Sequence, residues 1–348
     1  AAGFHLVVGR RNDCIDAALG SIVPRPEFVD LHFPELMIDG MRGTHLPIGR
    51  YRREFSQLRA LVERHDAALL YCSGGLPCQL AIPVARLANI PVLCHFHHPA
   101  ARRAHYLWLA RFADQRVFPS EFVRRHSPSH SRSPGKVLYN GIDLARFRPA
   151  PLRDGQWRSQ WKIPSEAVVI GQVGALAANK RPEFLVSAFG SLLKRGRDRL
   201  HLCLVGTGPL AASVQRLVEE LGIARNVTLT GYVDDVLPYY QHVFDINVLV
   251  SQEEGLGISV IEGSACGLPA VVSNCTGLPE TVVDGETGFL FETNDAAGLQ
   301  DHLSRLAQSP ALRASLGRAG SALAAKRFSA TSYDESFMAI VAEVLGSQ

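Results

Sequence analysis

From Phe4 onward the apolar positions of this chain alternate between two periods, short runs with strand character and longer stretches with helical spacing. In the first half the pattern predicts strands at 4–8, 28–32, 67–72, 91–96 and 116–118, with helices at 49–64 and 78–87. The second half repeats it, with strands at 168–173, 200–205, 227–230, 245–250, 270–273 and 288–291. Helices are predicted there at 182–194, 210–221 and 258–266, then helix-like runs at 297–306 and 328–344. Strands that alternate with helices imply parallel sheets covered on both faces. Between the halves, Arg146-Phe147-Arg148-Pro149-Ala150-Pro151 has the proline content of a linker. A chain of 348 residues exceeds one ordinary core. The expectation is therefore an α/β protein of two doubly wound domains, 1–150 and 151–329, facing a central cleft. Ligands in such folds sit at the C-terminal ends of the strands.

Composition narrows the class. Hydrophobic residues make up 47% and charged residues 20%, as in a soluble globular protein. No apolar run is long enough to cross a bilayer, and no stretch near the start reads as a signal peptide. Seven cysteines without paired C-x-x-C spacing argue against a disulfide framework or a structural zinc site, and reduced thiols in a cytoplasm fit best. The net charge of +3 hides an asymmetry: residues 1–150 carry 20 Lys+Arg and 12 Asp+Glu, the remainder 16 and 21. Ten of the 13 histidines also lie in the first part. Such a split suggests an anionic partner for the N-terminal half, or a basic face that is merely solvated. No nucleic-acid partner is expected.

The most informative stretch is Glu253-Glu254-Gly255-Leu256-Gly257-Ile258-Ser259-Val260-Ile261-Glu262. A turn with two glycines lets backbone approach a ligand closely, and the helix that follows offers free N–H groups to an anion. Glu254 and Glu262 cannot bind phosphate, so their natural partners are hydroxyl groups. Helix N-terminus for phosphate and carboxylates for sugar hydroxyls together describe a nucleotide-sugar site. The bland alternative is a surface turn and a helix carrying two solvated glutamates.

This segment resembles the E-x7-E signature of the retaining glycosyltransferases of family 4, which have the GT-B fold of two Rossmann-like domains. Further segments carry the resemblance across the C-terminal half. Val173-Gly174-Ala175-Leu176-Ala177-Ala178-Asn179-Lys180 places a lysine after a strand, where it can stabilise a departing diphosphate. The family usually has Arg where this chain has Ala175, and Arg181 is a candidate substitute. Val205-Gly206-Thr207-Gly208-Pro209 is either a close-approach loop for nucleotide or a tight packing turn. Thr230-Gly231-Tyr232-Val233-Asp234-Asp235 is similar to the segment whose backbone lies against the base. Pro279-Glu280 and Asp284–Phe289 match a late turn of the family and receive no chemical role.

In the N-terminal half, Pro91–Pro99 runs a strand into His95, His97 and His98, without an acidic residue to complete a metal site. The resemblance implies that His97 contacts the donor sugar; structural hydrogen bonding suffices for the others. Phe118-Pro119-Ser120-Glu121-Phe122 and Val137–Asp143 resemble family segments before the linker. Val8-Gly9-Arg10-Arg11-Asn12-Asp13 departs from the family's Gly-Gly loop: either Gly9 serves with Arg10 and Arg11 as the phosphate or acceptor loop, or the family correspondence does not hold here, so the acceptor is not legible there. By resemblance the last segment, 330–348, crosses back onto the first domain.

The resemblance implies transfer of a sugar from a nucleoside diphosphate donor to an acceptor hydroxyl with retention, UDP being the favoured base on family frequency. His97, Lys180 and Glu254 are the expected catalytic residues. The donor is expected on Gly174, Lys180, Arg181, Gly206, Gly208, Tyr232, Val233, Glu254, Gly255, Leu256, Gly257, Ile258 and Glu262, with no metal and no cofactor. The rivals are a nucleotide-sugar epimerase on the same fold and a non-catalytic nucleotide-binding regulator. The stretch 49–64 carries Arg50, Arg52, Arg53, Arg59 and Arg64, and a second basic and aromatic run holds Arg102, Arg103, Tyr106, Trp108 and Arg111. These residues suit peripheral contact with an anionic membrane and a lipid-linked acceptor, or equally a solvated helix and a soluble acceptor.

Overall fold

The computed structural model describes residues 7–8, 27–28, 48–99, 108–128, 135–197 and 199–346. The chain divides into two compact units, Ala1–Phe118 with Arg124–Val137 and Met338–Gln348, and Pro119–Val123 with Leu138–Phe337. Each sheet described is parallel, as alternating strands and helices require.

Unit 1 contains a two-stranded piece, β1 (Val7–Val8) and β2 (Glu27–Phe28). It also contains a four-stranded sheet in the order β3 (Leu70–Ser73), β4 (Val92–His95), β5 (Gln115–Phe118) and β6 (Lys136–Val137). Helix α1 (Ile48–Arg64) lays Leu58, Leu61 and Val62 on Leu80 and Val84 of α2 (Cys78–Ala88). Its opposite face exposes Arg50, Arg52, Arg53 and Arg59. The stretch 9–13 and the residues Arg102, Arg103 and Tyr106 lie outside the described residues.

Unit 2 holds β7 (Val168–Val173), β8 (Leu200–Val205), β9 (Val227–Leu229), β10 (Ile246–Leu249), β11 (Ala270–Ser273) and β12 (Gly288–Phe291). Their order in space is β12-β11-β10-β7-β8-β9. These strands are buried on both faces and read in the sequence as nearly continuous apolar runs, which is why their predicted bounds fall within a residue or so of the observed ones. Helices α5 (Pro182–Lys194), α6 (Ala211–Glu220), α7 (Ile258–Ala265) and α8 (Ala296–Gln308) connect or cover them. One core joins Leu185, Val186 and Phe189 to Leu299, Leu303 and Leu306; a second joins Val169, Cys203 and Phe244 to Ile261 and Phe328.

The boundary differs from the expected 150/151, because residues 138–150 fold with unit 2. Ile142 pairs with Ser329, and Phe147 is buried in the second core of that unit. A proline-rich stretch therefore marks the surface strap of a domain here, not its end. The expected N-terminal motif Pro119–Phe122 is likewise held in unit 2. Glu280 accepts hydrogen bonds from the N–H groups of Glu121 and Phe122, both at 2.8 Å, and from Tyr139 Oη at 2.9 Å. Glu280 so caps the short helix α3 (Glu121–His126), a role the sequence alone did not disclose.

Among the described residues three helices escape the sequence pattern: α3, α4 (Gln156–Gln160) and α9 (Pro310–Arg327). The last is 18 residues long, but its Ala and Gly content leaves little amphipathic signal. Its readable mark is the N-cap, where Ser309 Oγ accepts from Leu312 N at 3.2 Å and Pro310 opens the first turn. The chain closes with α10 (Ala330–Gly346), of which Met338 onward groups with unit 1.

Glu280→Ala strips a carboxylate from three donors, and charge-assisted bonds to part-buried groups contribute about 2–3 kcal/mol in such a setting. The expected outcome is a melting temperature lower by roughly 4–10 °C. Calorimetry of the purified variant checks this, and an unchanged midpoint refutes the capping role.

Candidate functional site

In unit 2 the strand order reverses between β7 and β10, which pair through Ile246 with Ile170 and Asn247 with Gly171. Loops leaving the C-terminal ends of two such strands diverge and open a crevice, the usual ligand position in open α/β sheets. The loop after β7 carries Lys180 at the end of a short 3-10 turn, Ala178–Lys180. The loop after β10 carries Glu254. Gln252 N donates to Asn179 O at 2.8 Å and ties the two loops together.

The ammonium of Lys180 is clasped by Glu254 Oε1. The same oxygen accepts from Ser251 Oγ at 2.7 Å, and Ser251 is fully buried. Glu254 is fixed through its backbone as well: its N–H donates to Thr276 Oγ1 at 2.8 Å, and its carbonyl accepts from Gly277 N at 3.1 Å. Ser273 Oγ donates to Ser251 O at 2.6 Å and so holds the loop to β11. The expected catalytic lysine and carboxylate thus meet, 74 residues apart in sequence. Ser251 and Thr276 were missed, because single hydroxyl residues at strand ends give no sequence signal.

The turn Gly255-Leu256-Gly257 leads into α7. Gly257 has φ +101°, and a Cβ there would lie 2.5 Å from Leu278 Cδ2. Leu256 is buried in the core, anchoring the turn, while Ile258 is exposed. Ser120 Oγ donates to Gly255 O at 2.6 Å, so the Pro119–Phe122 motif supports this turn from below. The first N–H groups of α7 have no acceptor within their own helix and form an electropositive end.

One turn into α7, Glu262 is half-buried. Tyr240 Oη lies 3.0 Å from its Oε2. Burial pushes the Glu262 carboxyl above the usual carboxylate range, against the pull of the Tyr240 hydrogen bond and the Arg146 charge. Tyr240 itself is buried, and its hydroxyl is raised well above the ordinary tyrosine value, first by burial and then by the neighbouring Glu262.

The remaining expected contacts fare differently. Gly206 has φ +135° and donates to Gly231 O at 3.0 Å; a Cβ there would stand 2.1 Å from Gly174 O. A Cβ on Gly208 would stand 2.6 Å from Leu176 O. Both glycines therefore meet protein backbone, which is the geometry of a tight packing turn. Tyr232 is exposed and Val233 half-buried against the core. Arg181, offered as the substitute for the arginine absent at Ala175, points elsewhere. Its guanidinium binds the Thr293 carbonyl and Asn294 Oδ1 and stacks on Phe184 at 4.2 Å, so it ties the loop after β7 to the stretch after β12.

In unit 1, His97 is exposed, with Nε2 2.8 Å from Ser73 Oγ. His95 is buried, with Nδ1 2.8 Å from Tyr71 Oη, and the two imidazoles lie 4.7 Å apart. Burial, helped by the charge of His97, pushes His95 down to about 4; burial and His98 lower His97 too. Both rings are neutral hydrogen-bonding groups near pH 7. Among the described residues no three His, Cys, Asp or Glu side chains form a metal-holding group.

Comparison with known proteins agrees with this architecture. Residues 154–322 match the family model of the glycosyl transferases group 1, and residues 28–146 match that of glycosyltransferase family 4. The chain is 30% identical over 285 residues to the GDP-mannose-dependent alpha-(1-6)-phosphatidylinositol monomannoside mannosyltransferase of Mycolicibacterium smegmatis, covering 76% of this chain and 74% of that one. It is 33% identical over 223 residues to the D-inositol 3-phosphate glycosyltransferase of Actinosynnema mirum, covering 60% and 52% respectively. Among solved structures, Anabaena HepE in complex with UDP superposes with a TM-score of 0.77 at 19% identity, over 87% of this chain and 85% of that one. Sucrose-phosphate synthase of Thermosynechococcus elongatus gives a TM-score of 0.75 at 22% identity, over 94% and 86%.

Gly257→Ala forces an L-residue into the left-handed region against a buried leucine, at a cost of about 1–3 kcal/mol. We expect the melting temperature to fall modestly and the affinity for a nucleoside diphosphate to fall at least tenfold, because the α7 end moves. Calorimetric titration checks this, and unchanged affinity counts against α7 as the diphosphate site.

Proposed function

This chain belongs to the family 4 glycosyltransferases of GT-B fold, and we propose that it transfers a hexose from a nucleoside diphosphate donor to an acceptor hydroxyl with retention, without a metal. The observation that carries this reading is the meeting of Lys180 and Glu254 beside the N-terminus of α7. The diphosphate takes the α7 end and Lys180, and Glu254 turns to hydroxyls of the donor sugar while Ser251 keeps hold of it. Glu262 takes the ribose hydroxyls. For His97 we propose a contact with the donor sugar, on the ground of the resemblance.

In the reaction the acceptor oxygen forms its bond to the anomeric carbon on the face from which the phosphate oxygen departs. The acceptor proton passes to that departing oxygen. Lys180 and the helix end stabilise the charge that grows on the diphosphate, and positioning supplies the remainder. The relative at 30% identity is named for GDP-mannose, which supports a GDP-hexose over the UDP-sugar favoured on family frequency.

Glu262→Ala should weaken binding of free GDP or UDP by about tenfold or more, as for loss of a charge-assisted pair. Glu254→Ala should not weaken that binding, because it frees Lys180 for the diphosphate, and should lower turnover of the intact donor. Lys180→Ala should lower kcat by roughly a hundredfold or more, and EDTA should do little. Titration with GDP and UDP, then steady-state assays with their hexose conjugates, decide the matter. Equal loss of free-nucleotide affinity in both glutamate variants defeats the division of roles, and a strict divalent requirement defeats the metal-free reaction.

For the acceptor we propose an anionic lipid or lipid-linked hydroxyl, with α1 as the docking face. Arg50 and Arg52 are exposed and make no ion pair among the described residues, while Arg53 lies near Glu54 and Arg59 pairs with Glu63. Ile48 is exposed at the same end. Each arginine near an anionic surface contributes about 1 kcal/mol. Sedimentation with phosphatidylglycerol vesicles should show binding that falls with salt and weakens when Arg50, Arg52 and Arg53 become Ser. No binding at low salt leaves a soluble acceptor in place of the lipid.

A further inference from the structure

The segment Tyr239–Val243 is a single π-helical turn between β9 and β10, closed by Phe244 N donating to Tyr239 O at 2.9 Å. Turns of this kind are rare and re-aim a side chain relative to a regular helix. Here the side chain is Tyr240, 1% exposed and boxed by Phe147 and Phe244 with centroids at 6.3 and 5.7 Å. Its ring carries the hydroxyl to the underside of α7. There Oη stands 3.0 Å from Glu262 Oε2 and 3.1 Å from the Ser259 carbonyl oxygen, so one proton is shared between two acceptors. The Ser259 carbonyl also accepts from Asn247 Nδ2 at 2.9 Å, and Asn247 is wedged against Gly263, where a Cβ would lie 2.3 Å from Nδ2. Glu262 Oε1 accepts no hydrogen bond among the described residues.

We infer that Tyr240 is a positioning residue for the donor nucleotide: its hydroxyl holds one oxygen of Glu262 and thereby presents the other to the ribose hydroxyls. The inference rests on the reading of Glu262 as the ribose contact. A buried tyrosine on a rigid turn restricts the carboxylate to one rotamer, so the ligand does not have to order it. The groups facing Glu262 are Tyr240 from the π turn, Arg146 from the strap 138–150 and Cys266 from the end of α7. The Cys266 thiol, pushed up to about 12, stays neutral across the useful pH range, so Tyr240 and Glu262 set the response. The Tyr240 hydrogen bond lowers the proton affinity of Glu262. Without it Glu262 protonates at higher pH, and the ribose contact fades earlier on acidification.

The test is Tyr240→Phe, which keeps the ring and its packing, titrated with GDP and UDP and with their 2′,3′-dideoxy forms. Tyr240→Phe should weaken the ribose nucleotide by about three- to tenfold, as for one hydrogen bond to a charged group, and leave the dideoxy form unchanged. The deficit should widen as the pH is lowered from about 8 to about 5. With the hexose donor, KM should rise and kcat should hold. Equal weakening of both forms reduces Tyr240 to a structural role and overturns the inference, as does no weakening of either. Glu262→Gln, run beside it, separates the two layers: if it also fails to discriminate ribose from dideoxyribose, the ribose reading itself falls. If Glu262→Gln discriminates and Tyr240→Phe does not, only the role of Tyr240 falls.

Discussion

The pairing of β7 with β10 is the constraint from which the rest of unit 2 follows. Strands that are neighbours in space but distant in sequence make the loops at their C-terminal ends depart to opposite sides. The adjacency of β7 and β10 is what brings Lys180 from one loop to Glu254 from the other. A lysine and a glutamate on adjacent turns of a surface helix would be solvated and weakly coupled. Here both are largely withdrawn from water, so their charges have strong effects on each other and on any anion that enters.

Withdrawing charge from water is costly unless every polar group nearby has a partner. The loops at this end meet the requirement with small hydroxyls. Ser251 serves the Glu254 carboxylate, Thr276 its N–H, and Ser273 the carbonyl of Ser251. Ser120 serves the carbonyl of Gly255. Each hydroxyl has few rotamers to lose and little volume, so the sheet end stays close-packed around a polar centre. The two acids are held by different means, Glu254 by a serine on its own loop and Glu262 by a tyrosine from another element, and either support can change without the other.

Much of the fold was legible because buried parallel strands announce themselves as apolar runs with turn residues at their ends. That logic gave β7, β8, β11 and β12 at their observed bounds. It failed at α9, whose helix is made by capping and small residues against Gly267, where Gly317 leaves no room for a Cβ. It failed also at residues 138–150, since composition shows flexibility of a sequence but not which core it lies on. For the site, the spacing of Glu254 and Glu262 and the strand-end position of Lys180 were readable. The hydroxyls of Ser251, Thr276 and Tyr240 were not, because their partners are set by three-dimensional register. Arg181 marks the same limit: adjacent to Lys180 in sequence, it leaves the left-handed backbone at φ +50° in another direction and binds Thr293 and Asn294.

The absence of a cation at Ala175 and the diversion of Arg181 have an electrostatic consequence for the proposed reaction. Among the described residues of unit 2, a diphosphate brought to the end of α7 would meet one ammonium and a helix terminus, whose field amounts to about half a charge. Lys180 is already neutralised by Glu254 in the free protein. A phosphate oxygen must therefore compete with a carboxylate for that ammonium, and the exchange leaves Glu254 with an oxygen in need of donors. Hydroxyls of a donor sugar supply them, whereas a free nucleoside diphosphate does not. The same ion pair that lowers affinity for the leaving nucleotide then favours the intact donor over the product. In this arrangement the Lys180–Glu254 contact does not compete with catalysis: it transfers part of the binding energy from the diphosphate to the sugar, where the bond is to be broken.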